Sequence, residues 1–114
     1  MAKKSRRRRS NCPINAALEA LGDRWSLLIV RDLMLHGDRT YKDFLASGEG
    51  IATNILADRL KKLADSEIIT VHSDHGDGRK QIYGLTRKGI DLAPVLAELV
   101  AWALQHEHIS APRR

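Results

Sequence analysis

The chain has 114 residues, one cysteine (Cys12) and a formal net charge of +5. That length is one domain's worth, able to bury about two thirds of its unfolded surface without metal or disulfide staples. A single cysteine excludes an intrachain disulfide and fits a reducing, cytoplasmic setting. The longest unbroken aliphatic run is only Leu27 to Val30, and the N-terminal basic cluster is followed by Asn11, Cys12 and Pro13, which argues against a membrane span and a secretory signal.

The positive charge is local. Lys3, Lys4, Arg6, Arg7, Arg8 and Arg9 carry +6, and the remaining 13 basic and 14 acidic residues leave the rest of the chain at −1. A case for nucleic-acid binding must therefore rest on where the remaining charges sit.

Residues 1–11 lack apolar periodicity and read as a disordered basic tail. Pro13 suits a first helical turn, and Ile14, Ala17, Leu18 and Leu21 recur on one face until Gly22 stops that helix. Asp23 caps a second helix with an apolar stripe through Trp25, Leu28, Ile29 and Leu33, ended by Gly37. In this reading Asp23, Arg24 and Trp25 are structural, with Trp25 anchoring the joint in the core. Thr40 caps a short third helix through Phe44 and Leu45, and a turn at 47–50 leads to a fourth from about Ala52 to Asp65. Two helices joined by a tight glycine-containing turn are a helix-turn-helix candidate. Residues 68–73 and 80–85 read as strands joined by a loop at 74–78, which makes a wing. Thr86 caps a last helix in which 12 of the 15 residues from Ile90 to Leu104 are apolar. A helix apolar on nearly every side needs cover on more than one side, and a second copy of the chain is the natural cover.

The expected fold is therefore mainly α with a small antiparallel β-hairpin: a winged helix-turn-helix, homodimeric through its N- and C-terminal helices. Residues 12–106 form the DNA-binding and dimerisation domain, and 107–114 a C-terminal tail. Leu92, Val95, Leu96, Leu99, Trp102 and Ala103 are the expected dimer contacts.

Three segments, CPINAALEALGDRWSLLIVRDL at 12–33, GIATNILADRLKKL at 50–63 and IYGLTRKGIDLAPVLAELVAW at 82–102, resemble the HxlR-type family of bacterial winged-helix transcriptional regulators. The resemblance runs from about Cys12 to Trp102. It implies a dimer that binds operator DNA, and for some members an N-terminal cysteine that senses oxidants or electrophiles. The chain departs from the pattern at Ala52, where a Ser cap is usual, which weakens the fourth helix by ~1 kcal/mol unless Thr53 substitutes. It departs again at Glu67, where Gly is common, so the chain turns there without the easy left-handed residue. The wing is more acidic at its tip than a DNA-gripping wing should be, leaving phosphate contacts to Arg79 and Lys80.

At 100° per residue the fourth helix turns Ile51, Ile55, Leu56, Leu60 and Leu63 inward and Asn54, Ala57 and Lys61 outward, with Thr53 and Asp58 flanking. Asn54 suits adenine, Thr53 and Ala57 a thymine methyl or a phosphate, and Lys61 a guanine or the backbone. Thr40, Tyr41 and Lys42 would line the duplex beside them. Arg59 projects toward the core side as a structural or phosphate-positioning residue. The alternative is a winged-helix module whose groove face meets protein, without base readout.

His72, Asp74, His75 and Asp77 cluster in sequence, but a solvated wing tip explains them better than a metal site. No Gly-rich phosphate loop, HExxH or GxSxG nucleophile is present, so no enzyme and no cofactor are expected. Cys12 immediately precedes Pro13, which places its sulfur beside the unsatisfied backbone N–H groups opening the first helix, a setting in which thiols are reactive. It is the residue expected to meet a small oxidant or electrophile, against the plainer reading of a thiol packed under the last helix.

Overall fold

The computed structural model describes residues 11–47, 49–74 and 76–109; residues 1–10 with the basic tail, Gly48, His75 and residues 110–114 lie outside the described residues. Its first helix, α1 (Pro13–Leu21), opens with Pro13 in the first turn, where a missing N–H costs nothing. It stops at Gly22, whose N–H reaches the Leu18 carbonyl at 2.7 Å. A Cβ at Gly22 would lie 2.3 Å from that carbonyl oxygen, so the close approach is what demands glycine.

Helix α2 (Ser26–His36) is preceded by Trp25, and Asp23 acts as its cap from further back. Asp23 Oδ1 accepts from the N–H groups of Trp25 and Ser26 at 2.8 and 2.9 Å, and Oδ2 accepts from Ser26 Oγ at 2.6 Å. Two of the donors at the start of the helix are thereby satisfied. Trp25 is half-buried instead of lying in the core, with the Arg24 guanidinium 4.9 Å from its ring centroid. A broad ring at a joint gains from being covered by a stacked cation on its open face.

A strand that the sequence reading lacks follows at once. β1 (Arg39–Thr40) is two residues long, too short for any periodicity to announce it. Thr40 also caps α3 (Tyr41–Leu45) in a reciprocal box: its hydroxyl accepts from Asp43 N and the Asp43 carboxylate accepts from Thr40 N. Helix α4 (Thr53–Asp65) starts after Ala52 with no side-chain cap, so Thr53 does not substitute for the absent Ser. Its far end is a Schellman turn, in which Ile68 N reaches Leu63 O and Glu67 N reaches Ala64 O, both at 2.9 Å. The residue in the left-handed position is Glu67, at φ 63°, as the absence of glycine there requires.

β2 (Ile69–Asp74) and β3 (Asp77–Leu85) form the wing, and β3 also pairs with β1, giving a three-stranded antiparallel sheet in the order β1-β3-β2. The expected hairpin is therefore one strand short of the sheet, and β3 begins at Asp77, three residues before the expected start. The last helix is two helices. Thr86 caps α5 (Arg87–Ile90), accepting from Gly89 N at 3.0 Å, and Asp91 and Leu92 separate it from α6 (Ala93–His106). Pro94 cannot donate to the Ile90 carbonyl, and Leu92 N instead bonds back to Gly89 O at 3.0 Å.

The core lies between α2, α3, α4 and the root of the sheet: Ile29, Val30, Leu33, Phe44, Leu56, Leu60, Leu63, Ile68 and Ile69 are buried. Each such side chain contributes about 1.5–3 kcal/mol by leaving water. The wing strands therefore hold to the helices at their base, through Ile68 and Ile69. Phe44 meets the Tyr83 ring edge-on at 6.0 Å and closes the α3 side.

Candidate nucleic-acid interface

Burial of Leu56, Leu60 and Leu63 fixes which side of α4 faces the core, and so fixes the opposite side as well. Thr53, Asn54, Ala57 and Lys61 are all exposed, as their spacing predicts. Asn54 offers an amide donor and acceptor near the start of the helix, the end that approaches base edges in a helix-turn-helix. Lys61 pairs with Asp65 at 3.2 Å, but both side chains are largely exposed. Such a pair is worth ~0.5 kcal/mol or less and yields readily to a phosphate.

The start of α3 stands beside this row. Lys42 is exposed. The Thr40 hydroxyl oxygen is engaged in the capping box, which leaves its O–H proton to offer. Tyr41 departs from its expected role: its hydroxyl donates to the Thr53 carbonyl at 2.7 Å, so it ties α3 to the first turn of α4 instead of presenting a donor outward. Arg39, which the sequence reading passed over, donates to the Asp43 carbonyl at 3.0 Å. The Asp43 carboxyl is held below its ordinary value by the Thr40 N–H, against slight burial, with help from the Thr40 hydroxyl and the charges of Arg39 and Lys80. Lys80, exposed on β3, is thus close enough to act on the same carboxylate as Arg39. The side chain of Arg79 lies outside the described residues. Arg39 was findable as a cation directly before a helix-capping threonine.

Behind the outward row, Arg59 turns inward as its phase requires, and its Nε lies 3.1 Å from Asp23 Oδ1. That N–H is buried and not aimed at the oxygen, so the contact is ionic and not a formed hydrogen bond. The guanidinium also pairs with Asp58. Burial pushes the Asp23 carboxyl up, but hydrogen bonds from the Ser26 hydroxyl and the Trp25 and Ser26 N–H groups, with Arg59 beside it, bring it below its ordinary value. Asp23 is therefore more than a cap. A second cross-link, also without a local sequence signal, runs through Arg31. It holds the buried Asp32 at 2.9 Å and Glu49 at 3.1 Å, fastening α2 to the turn between α3 and α4.

Cys12 sits at the N-cap of α1 and is exposed. On the same helix Ile14 and Leu18 are 71% and 58% exposed. Of the residues expected at a dimer contact, Leu92 and Leu96 are half-buried against this chain's own core and Ala103 is half-buried. Val95, Leu99 and Trp102 are 44%, 48% and 58% exposed and line an open apolar groove along α6 with Glu98 and Gln105. His106 stacks on Trp102 at 5.3 Å. Among the described residues, no three His, Cys, Asp or Glu side chains are grouped to hold a metal ion, and no helix is long and apolar enough to cross a membrane.

The family model for the HxlR-like helix-turn-helix matches residues 20–110. The HTH-type transcriptional regulator YodB of Bacillus subtilis (strain 168) is 38% identical over 95 residues, covering 82% of this chain and 84% of its own. The solved structure of PA1607 superposes with a TM-score of 0.80 at 33% identity, over 93% of this chain and 72% of that one. The reduced form of YodB superposes with a TM-score of 0.73 at 35% identity, over 90% of this chain and all of that one. YodB has also been solved diamide-treated and quinone-bound.

Proposed function

This chain belongs to the HxlR-like helix-turn-helix family, and from that premise we propose that it is a DNA-binding transcriptional regulator that reads its operator with the outward side of α4. The observation that carries this reading is the row Thr53, Asn54, Ala57 and Lys61: four exposed side chains of groove-reading type, on a helix whose other side is locked into the core. Asn54 reads a base edge, Lys61 meets a base or the backbone, and Lys42, Lys80 and Arg79 take phosphates on either side, with Arg39 close by. Residues 12–106 act as a two-fold homodimer through α1 and α6, so the operator is an inverted repeat with half-sites about 34 Å apart. The basic tail, residues 1–9, adds affinity without sequence preference.

Selection of duplexes from a randomised pool, followed by gel shifts at two salt concentrations, tests this. An enriched inverted repeat is expected. Asn54→Ala should relax base preference and keep the salt dependence, whereas deleting residues 1–9 should weaken selected and random duplexes alike and flatten that dependence. Failure to enrich any sequence would favour a protein-binding module instead.

A sensing role rests on Cys12, exposed at the mouth of α1 and beside the proposed subunit contact. The relative YodB, solved in diamide-treated and quinone-bound forms, makes an oxidant or electrophile the natural effector to try. Operator release on treatment with diamide or a quinone should occur in the wild type and be absent in Cys12→Ser. A response that survives in the serine variant removes Cys12 from the mechanism.

A further inference from the structure

We infer that Arg59 is a positioning residue for base reading, and that its pair with Asp23 couples the α1–α2 joint to the angle of α4. This rests on the reading of α4 as the DNA-reading helix. An arginine on such a helix, in a chain of net charge +5, would ordinarily be assigned to a phosphate. Its geometry says otherwise. Arg59 lies on the inward flank, its Nε is buried 3.1 Å from Asp23 Oδ1, and another guanidinium nitrogen is turned back onto Asp58 of its own helix.

Asp23 is a fixed post for this pair. Three hydrogen bonds, from Trp25 N, Ser26 N and Ser26 Oγ, hold its carboxylate to the start of α2. The other attachments of α4 are mostly apolar, through Leu56, Leu60 and Leu63, and apolar contacts are non-directional, so they resist rotation about the helix axis only weakly. A charged pair with one partner immobilised ties this stretch of α4 to a single point at the start of α2. Coulomb attraction varies with separation, so a displacement of the joint changes the energy of the contact directly. The joint is the end of α1, whose exposed Ile14 and Leu18 and opening Cys12 belong to the proposed subunit contact. A shift there thus reaches the outward row of α4 through one ion pair.

The test uses full-length Asp23→Asn, Arg59→Gln and the double variant. Asparagine caps a helix about as well as aspartate: in Asp23→Asn the amide oxygen can still accept from Trp25 N and Ser26 N, and the amide NH2 can donate to Ser26 Oγ, so the charge is lost while most of the cap is retained; it also keeps the test open should Arg59→Gln fail to fold. Each is titrated against a duplex selected by the wild type and a random duplex of equal length. Amide hydrogen exchange of α4 in the DNA-free protein is measured in parallel. Each single variant should lose about tenfold in preference for the selected duplex. Binding to random DNA and the salt slope should stay unchanged, and the double variant should be no worse than the weaker single. Asp23→Asn alone should speed exchange in the first two turns of α4. The inference is overturned if Arg59→Gln weakens both duplexes equally with the salt slope reduced by about one, the mark of a phosphate contact. Additive losses, or unchanged exchange in α4 on Asp23→Asn, overturn it too. If the wild type selects no sequence, the DNA-reading assignment has failed, and the exchange measurement alone decides the coupling.

Discussion

The Tyr41 hydroxyl donates to the Thr53 carbonyl at 2.7 Å, joining the first turn of α3 to the first turn of α4 across the tight turn between them. The bond lies near the surface, where its net worth is about 0.5–1 kcal/mol. Tyr41→Phe should lower the unfolding free energy by that amount, seen as a lower urea midpoint, and weaken binding to a selected duplex more than to a random one. Equal weakening on both duplexes would return Tyr41 to the role of phosphate donor.

Glycine is missing at Glu67 and required at Gly89, so gaining it at the first position and losing it at the second should have opposite effects on stability. Glu67 holds a left-handed φ of 63° that costs a side-chain-bearing residue about 1 kcal/mol, so Glu67→Gly should raise the melting temperature and leave DNA binding alone. A Cβ at Gly89 would lie 2.3 Å from the Ile68 carbonyl oxygen and 2.8 Å from Leu85 Cδ2. Gly89→Ala should therefore cost about 1–3 kcal/mol by pushing α5 off the sheet root. Thermal melts of both variants check the pair.

Acid stability follows from Asp23 and Asp43. Both carboxyls titrate below their ordinary value of 3.8 in the folded chain, so their ionised forms favour folding. Their contribution is complete above about pH 5 and is lost as pH falls through 3.8 toward the lower folded values. Asp23→Asn should flatten the acid limb of a stability profile more than Asp43→Asn, because Asp43 is exposed and largely screened. Urea midpoints measured at about pH 6 and about pH 3 decide it.

The α6 groove gives a prediction about assembly. Val95, Leu99 and Trp102 leave an apolar strip in water that a monomer of this size has little reason to keep. Leu99→Asp should keep the helical circular-dichroism spectrum, since Leu99 does not reach the core. It should sediment as a monomer and lose operator binding. A monomeric wild type at micromolar concentration would overturn the dimer.

Local chemistry was legible wherever it is local. Pro13 opening α1, Thr40 capping α3, Glu67 turning left-handed and the inward and outward sides of α4 all follow from residues within a few positions of one another. What escaped has other causes. β1 has two residues and no period, and its strand character comes from β3, far along the chain. The break between α5 and α6 turns on a carbonyl at Ile90 that Pro94 cannot serve, and an apolar run reads straight through it. Arg59 with Asp23 and Arg31 with Glu49 join residues that nothing but the folded chain brings together. That the Tyr41 hydroxyl points to the Thr53 carbonyl is likewise a tertiary fact.

β1 pairs Arg39 with Tyr83 and Thr40 with Ile82, and Thr40 is also the residue from which α3 springs. The wing is thereby stitched to the helix-turn-helix through Ile82 and Tyr83 of its longer strand, like the arms of a calliper with a locked hinge. In the proposed DNA complex, the distance along the duplex between the groove met by α4 and the one met by the wing is then set by that stitch. Lengthening the hairpin beyond the stitch, between Asp74 and Asp77, would extend the footprint outward without changing its phase against the helical repeat. Shifting the β1 register by two residues would change the phase and leave the length alone.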